Sequence, residues 1–367
     1  MKCPECSYET NQLTNLRRHL RRTEGWDEAK IQKAFPDTRV TRPEQLLAIP
    51  VEDFSALADR ILAGMPMRCR LKVKSPKKGD LKSESWLLQF SDFHFGLRVK
   101  SAEVGGLSEY NNKVAVERLE YLAETLGRLL EYSPVAPKEL VIAFQGDNVE
   151  NSVMRVNQQA SIEEGVVKQT MMVSELITDF IVSLTKYFKR IRCYGVPGNH
   201  GRTTKSPKDS HPSESFDSMV YYIVKERIKG LKGVSLDYTE AQHMIVQIGQ
   251  KKFWMEHGDT IRSWAGIPFY GGKRERANIN DILSHFREHA DYVLVAHHHT
   301  RAIFEDIFFN GSFVGGDLFS IGRLRRMNLP SQNLFGVDKK RGVVWERPLF
   351  LAENFSEQPI TIYGKED

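Results

Sequence analysis

The sequence predicts an α/β layered fold, on two observations. From residue 86 onward, short apolar runs alternate with longer stretches whose apolar residues fall at helical spacing, the pattern of strands and helices in alternation. Several of these runs also end abruptly in a polar cluster containing Asp, Asn or His. In an open α/β sheet the ends of neighbouring strands lie side by side, where ligands bind.

The run 86–90 leads into Ser91-Asp92-Phe93-His94-Phe95-Gly96. A helix is predicted over 112–130 from Val116, Leu119, Leu122, Ala123, Leu126, Leu129 and Leu130, and the strand 140–144 then runs into Gln145-Gly146-Asp147-Asn148. A long helical region, 161–189, precedes the strand 191–196 and its cluster Pro197-Gly198-Asn199-His200-Gly201-Arg202. After a helix over 216–229, strands at 243–248 and 252–256 follow, the second delivering His257-Gly258-Asp259. A glycine-rich basic loop is predicted over 266–276, a helix over 279–289, and a strand over 292–296 that ends in His297-His298-His299. Residues 301–309 and 312–314 alternate like antiparallel strands, and no internal repeat is evident. Cys193 sits in an apolar strand pattern as a core residue, while His285 and His289 read as ordinary helix histidines.

A carboxylate and an imidazole two residues apart, as in Asp92 and His94, can share one metal ion, and the clusters at neighbouring strand ends could meet at one site. Extended geometry would turn His298 away from its neighbours, which leaves it out of that site.

In this order and spacing the five clusters resemble the calcineurin-like metallophosphoesterase superfamily, whose blocks are Asp-x-His, Gly-Asp, Gly-Asn-His, a lone His and Gly-His-x-His. The likeness runs from residue 86 to about 320 and includes an Asn310-Gly311-Ser312 turn beyond the last block. It implies a β-sandwich flanked by helices with two divalent cations at one end, Mn²⁺ first and Fe or Zn²⁺ as alternatives. Carried over, it makes Asp92, His94 and His299 ligands of one ion, Asn199, His257 and His297 ligands of the other, and Asp147 the bridge. It gives His200 the catalytic role of leaving-group acid or transition-state stabiliser, with Arg202 beside it as a phosphate contact. Two departures stand out. Ala296 replaces a usual Gly, and Gly201 replaces the acid that commonly orients the catalytic His, so another carboxylate must do so. Asn148 and Asn151 stay open as contacts to ligands or substrate.

Upstream, Cys3 and Cys6 are two residues apart and His19 follows at twelve. This resembles a two-Cys, two-His zinc finger and implies a structural Zn²⁺ held by Cys3, Cys6 and His19. The second His would fall at 23–25, which hold Thr23, Glu24 and Gly25, so either Glu24, a water or a partner chain completes the site or the site is a metal-free relic. Further helices are expected at 27–35 and 43–62, and a linker at 72–85. The domain reading is a zinc-finger-like module over 1–35, a helical segment and basic linker over 36–85, and the metallophosphoesterase domain over 86–367.

Residues 1–85 hold 17 Lys/Arg against 12 Asp/Glu, and the rest of the chain holds 35 of each, so the net charge of +5 is N-terminal. The densest run, Arg68 to Lys82, either follows a phosphate backbone or is a solvated linker. No apolar stretch approaches membrane-spanning length, Met1–Cys6 lacks the apolar core of a signal peptide, and four cysteines make no disulfide framework; a cytoplasmic protein is expected. The finger-like module, the basic run and Lys273, Arg274 and Arg276, with Phe269 and Tyr270 for base stacking, favour a polynucleotide. The expected activity is that of a metal-dependent nuclease acting on DNA, working with a protein partner or a second copy, similar to the DNA-repair-nuclease side of the superfamily and its phage-encoded relatives. The alternatives are a phosphatase or phosphodiesterase on small nucleotides or phosphoproteins, and a non-catalytic nucleic-acid-binding protein.

Overall fold

The computed structural model describes residues 3–7, 13–34, 84–133, 137–155, 158–263 and 268–352. The expected helix at 43–62, the basic run at 68–82 and residues 266 and 267 of the glycine-rich loop lie outside these. The chain divides into two compact units, Met1–Pro50 and Val51–Asp367.

In the first unit, α1 (Leu13–Arg22) and α2 (Glu28–Ala34) pack around a small core of Cys3, Leu16, Leu20 and Ile31, with Trp26 against it. The α1 helix ends as Thr23 N–H donates to the His19 carbonyl at 2.8 Å and Trp26 N–H to that of Leu20 at 3.1 Å.

The second unit is two sheets face to face. The first has strand order β11-β10-β1-β2-β3-β4, made of β1 (Glu84–Phe90), β2 (Glu139–Phe144), β3 (Ile191–Gly195), β4 (Val234–Tyr238), β10 (Ser331–Asp338) and β11 (Gly342–Phe350). Strands β1 to β4 are parallel, joined through α3 (Asn112–Tyr132), α4 (Val166–Leu184) and α5 (Phe216–Ile228). The second sheet has the order β5-β6-β7-β9-β8, from β5 (His243–Ile248), β6 (Lys251–Glu256), β7 (Tyr292–Val295), β8 (Ala302–Phe304) and β9 (Ile307–Phe309).

Strand periodicity sorts the side chains between layers. Trp86, Leu88 and Phe90 of β1 and Leu140, Ile142 and Phe144 of β2 join the core beneath α3, α4 and α5. Leu87, Val141 and Ala143, one residue out of phase, meet Phe253, Met255, Leu294 and Phe308 of the second sheet. A helix, α6 (Phe269–Ser284), covers that sheet's outer face through Ile279 and Leu283 against Trp254, Val293 and Phe309. The result is a β-sandwich flanked by helices. Cys193 is buried in the first core, and burial pushes its thiol well above the usual range.

Three local differences from expectation have physical causes. Residues 269–276 are the start of α6 rather than loop: a Cβ at Gly271 would lie 2.0 Å from the Arg262 carbonyl oxygen, and one at Gly272 3.0 Å from the Phe309 ring. The glycines serve close packing of helix on sheet, not chain reversal. The hairpin β10–β11 went unread because Ser331, Gln332 and Asn333 are buried polar residues that break the apolar alternation. Residues 312–314 are not a strand; Phe313 N–H instead donates to the Asp92 carbonyl at 3.1 Å.

Candidate metal centre

Strands β1, β2 and β3 of one sheet and β6 and β7 of the other deliver their C-terminal loops to one place. The loops lock together through the main chain: Asp92 N–H donates to Gly146 O at 3.2 Å, His94 N–H to Asp147 O at 2.9 Å and Phe95 N–H to Asn148 O at 3.0 Å. Gly146 and Gly198 meet so closely that a Cβ on Gly146 would sit 2.1 Å from the Gly198 nitrogen. Asp92, His94, Asp147, His297 and His299 all have left-handed backbone, with φ between 44° and 64°. Each costs on the order of 1 kcal/mol, a strain that marks functional sites. It also explains His298: the segment is not extended, and His298 faces the same cavity, its ring 5.5 Å from that of Phe309.

The seven side chains form two adjacent groups. In one, His94 Nε2 lies 3.0 Å from His299 Nε2 and 3.9 Å from Asp92 Oδ1, and His299 Nε2 lies 3.3 Å from that same oxygen. In the other, His257 Nε2 lies 2.9 Å from Asn199 Oδ1 and 3.2 Å from His297 Nδ1. Asp147 Oδ2 belongs to both, 3.2 Å from His257 Nε2 and 3.8 Å from His94 Nε2.

This donor set fits cations. The Nδ1 atoms of His94 and His257 are engaged by Glu150 Oε2 and by the Gln145 carbonyl, both at 2.7 Å, so each neutral ring turns an Nε2 lone pair into the site. Those lone pairs face an imidazole nitrogen and an amide oxygen, contacts that a shared proton or a cation between them would satisfy. Asp92 Oδ1, fully buried, accepts no hydrogen bond. Burial lowers the His257 pKa, but Asp147 outweighs it and raises it to about 10; burial raises that of Asp92, and His299 and His257 bring it down to about 2.

Residues 85–323 match the calcineurin-like phosphoesterase family. The chain belongs to that family. Residues 1–23 match the C2H2-type zinc-finger domain. A curated relative is the SPbeta prophage-derived uncharacterized protein YonJ of Bacillus subtilis (strain 168), 22% identical over 228 residues, or 61% of this chain; the chain spans 52% of that relative's length. Among solved structures, similarity extends to a novel archaeal phosphodiesterase (10% identity, TM-score 0.31, covering 72% of this chain and 99% of that one). It extends also to Vps29 of Chaetomium thermophilum (11% identity, TM-score 0.27, 72% and 96%).

The carboxylate beside His200 is Glu150, which sequence reading did not single out. His200 Nδ1 lies 2.8 Å from the Glu150 carbonyl and 3.2 Å from its Oε2, the oxygen that also holds His94. Burial opposes charge on His200, but Glu150 and Asp147 prevail and lift its pKa to about 9. Gly201 has no room for an acid: a Cβ there would lie 2.5 Å from Ser215 Oγ and 2.6 Å from Asp217 Oδ2. Asp217, also unread, is fully buried and accepts from the Asp147, Asn148 and Gly198 amides at 2.9–3.0 Å, clamping two ligand loops. Neither acid lies at a strand end, and sequence pattern carried no signal for what either one holds. Asn148 donates to Asp217 and Tyr221, and Asn151 to the carbonyls of His200 and Arg202, so both face protein. Asn310 Nδ2 donates to Ser91 Oγ, which donates to Asp92 Oδ2, so the Asn-Gly-Ser turn steadies a ligand.

The basic candidates are placed differently. Arg202 pairs with Asp259 in a separate recess beside His257. Along α6, Lys273 pairs with Glu305 and Arg276 with Asp306, while Arg274 is exposed. None of these lines the cavity over the metal ligands. His285 and His289 are exposed.

In the first unit, Cys3, Cys6, His19 and Glu24 gather with their donor atoms within 4.8 Å of one another. His19 Nε2 lies 3.2 Å from Cys6 Sγ and 3.3 Å from Glu24 Oε1, so Glu24 stands where the second His of a zinc finger would. Two sulfurs, one imidazole and one carboxylate are a tetrahedral donor set suited to Zn²⁺. Among the described residues no helix is long and apolar enough to cross a membrane.

Proposed function

We propose that this protein is a metal-dependent phosphoesterase that hydrolyses phosphodiester bonds in DNA. One observation carries the hydrolytic reading: Asp147 Oδ2 is shared by two groups of ligand atoms, the arrangement for two neighbouring cations. Asp92, His94 and His299 hold one, Asn199, His257 and His297 the other, and Mn²⁺ is the metal expected first. Such a pair supplies Lewis acidity toward phosphoryl oxygens and makes water a nucleophile at neutral pH. His200 does the proton work: Glu150 fixes its Nδ1, leaving Nε2 for the leaving oxygen, and the raised pKa keeps the ring protonated at neutral pH.

The nucleic-acid part of the proposal rests on the first unit. A zinc-finger module closed by Cys3, Cys6, His19 and Glu24 presents Arg18, Arg21 and Arg22 on exposed positions of α1, which suits phosphate contact. The test is Mn²⁺-dependent turnover by the full chain on single- and double-stranded DNA, RNA, cyclic nucleotides and bis(p-nitrophenyl) phosphate. Cleavage of DNA is expected. Turnover of small diesters with DNA left intact would refute the DNA reading, and no turnover of any diester would refute the hydrolase.

A further inference from the structure

One wall of the cavity over the metal ligands comes from a segment that contributes no ligand. Beyond β9 the chain forms a short helix, α7 (Leu318–Gly322), and a tail over 323–328 before entering β10. Asp317 caps α7, its carboxylate accepting from Ser320 N–H. Asn328 Nδ2 donates to Thr300 Oγ1 at 3.0 Å, tying the tail to the residue after His299. The cavity has a volume of about 340 Å³, and Phe319, Leu324 and Arg326 of this segment, with Arg155, face His200 and the ligand histidines across it.

Two features of Arg155 and of this segment, of which Leu318, Arg323, Arg325 and Met327 lie outside the cavity lining, do nothing evident for the fold. Leu318, Phe319 and Met327 leave 60%, 46% and 37% of their surface exposed beside a polar centre. The Arg155 guanidinium lies 5.0 Å from the Phe319 ring centroid, and among the described residues Arg155, Arg323 and Arg325 make no ion pair, unlike Arg202, Lys273 and Arg276. Arg155 is nonetheless held in register with the proton donor. Its N–H and that of Met154 donate to Gln158 Oε1, while Gln158 Nε2 donates to Glu150, which orients His200.

We propose that this wall seats a single polynucleotide strand. A base stacks on the exposed surface of Phe319, next to the phosphate at the metal centre, and Arg155, Arg323 and Arg325 meet the flanking phosphates. An aromatic ring beside guanidinium groups binds any base through its π-face, so recognition is of strand rather than sequence. In a duplex the bases already stack on one another and leave Phe319 nothing to take. The carboxylate of Asp317, the acid of the wall, is occupied in capping α7. This inference rests on the phosphoesterase reading above.

The experiment compares kcat/KM of the full chain with Mn²⁺ on a short single-stranded DNA, the matching RNA, the matching duplex and bis(p-nitrophenyl) phosphate. Single strands are expected to exceed the duplex, with the DNA and RNA arms identifying the sugar. Phe319→Ala should lower the ratio of single-strand to small-diester kcat/KM by about 10- to 100-fold, and Phe319→Trp should restore it. Arg155→Gln and Arg325→Gln should lower the same ratio and flatten its salt dependence. A merely structural role would depress both substrates alike, and an unchanged ratio overturns the proposal. Small-diester turnover without polynucleotide cleavage overturns it but leaves the phosphoesterase standing. No turnover of either refutes the reading on which it rests.

Discussion

Asp147 is 1% exposed, and its loop is clamped by the Asp217 carboxylate and by the backbone of the Asp92–His94 loop; Cys6 is exposed on a unit whose buried core is Cys3, Leu16, Leu20 and Ile31. Both clusters collect metal donors, yet their supports differ in kind. Around Asp147 two packed sheets and buried carboxylates hold the candidate ligands in strained backbone, so the scaffold is expected to stand without cations, which would add the chemistry. Around Cys6 the core among the described residues is small, so a bound metal would itself supply folding energy.

The sharpest way to break this contrast is Asp147→Asn. Turnover of bis(p-nitrophenyl) phosphate should fall by at least about 10³-fold, while thermal unfolding of the large unit stays in place or shifts upward as a buried charge is removed. A collapse of the unfolding temperature would show that the centre is needed for folding after all. Next in size, Glu150→Gln removes the carboxylate shared by His94 and His200, and kcat should drop about 10- to 100-fold. The sign of the pH effect follows from the charge. Glu150 raises the His200 pKa, the acid form is the active one, and activity is lost as pH rises through that value; without the charge the alkaline limb must move to lower pH. An unmoved limb would remove His200 from the role of acid.

The smallest effect on turnover, assayed with Mn²⁺ restored, should come from stripping zinc. Chelation is expected to speed amide exchange across 13–34 while the strands between 84 and 350 keep their protection, as read by hydrogen exchange and mass spectrometry. Glu24→Ala should weaken zinc retention less than Cys6→Ser, because water can take the place of one carboxylate more readily than that of a thiolate. Equal loss of protection in both units would erase the distinction drawn here.

Much of the candidate centre was legible because its residues terminate strongly apolar strands, and strand period and position suffice to bring such strand ends together. The ends at Asp92, Asp147, Asn199, His257 and His297 needed no knowledge of side-chain packing. Glu150 and Asp217 were opaque for the opposite reason: one sits in an irregular loop and the other in the first turn of α5, and only long-range contact reveals what each carboxylate holds. The stretch around Gly271 and Gly272 misled because glycine at a helix–sheet contact has the same letter as glycine in a loop.

By itself, then, the sequence determined the order of the polar clusters and the strands that carry them, since strands follow from local hydrophobic periodicity, while the reading of those clusters as ligands came from their likeness to the family's motif. Only the tertiary structure decided which acid lies beside His200, which acid clamps the Asp147 loop, and that Arg155 faces the same cavity as His200. Those outcomes depend on distances between residues far apart in the chain, and local pattern does not encode them.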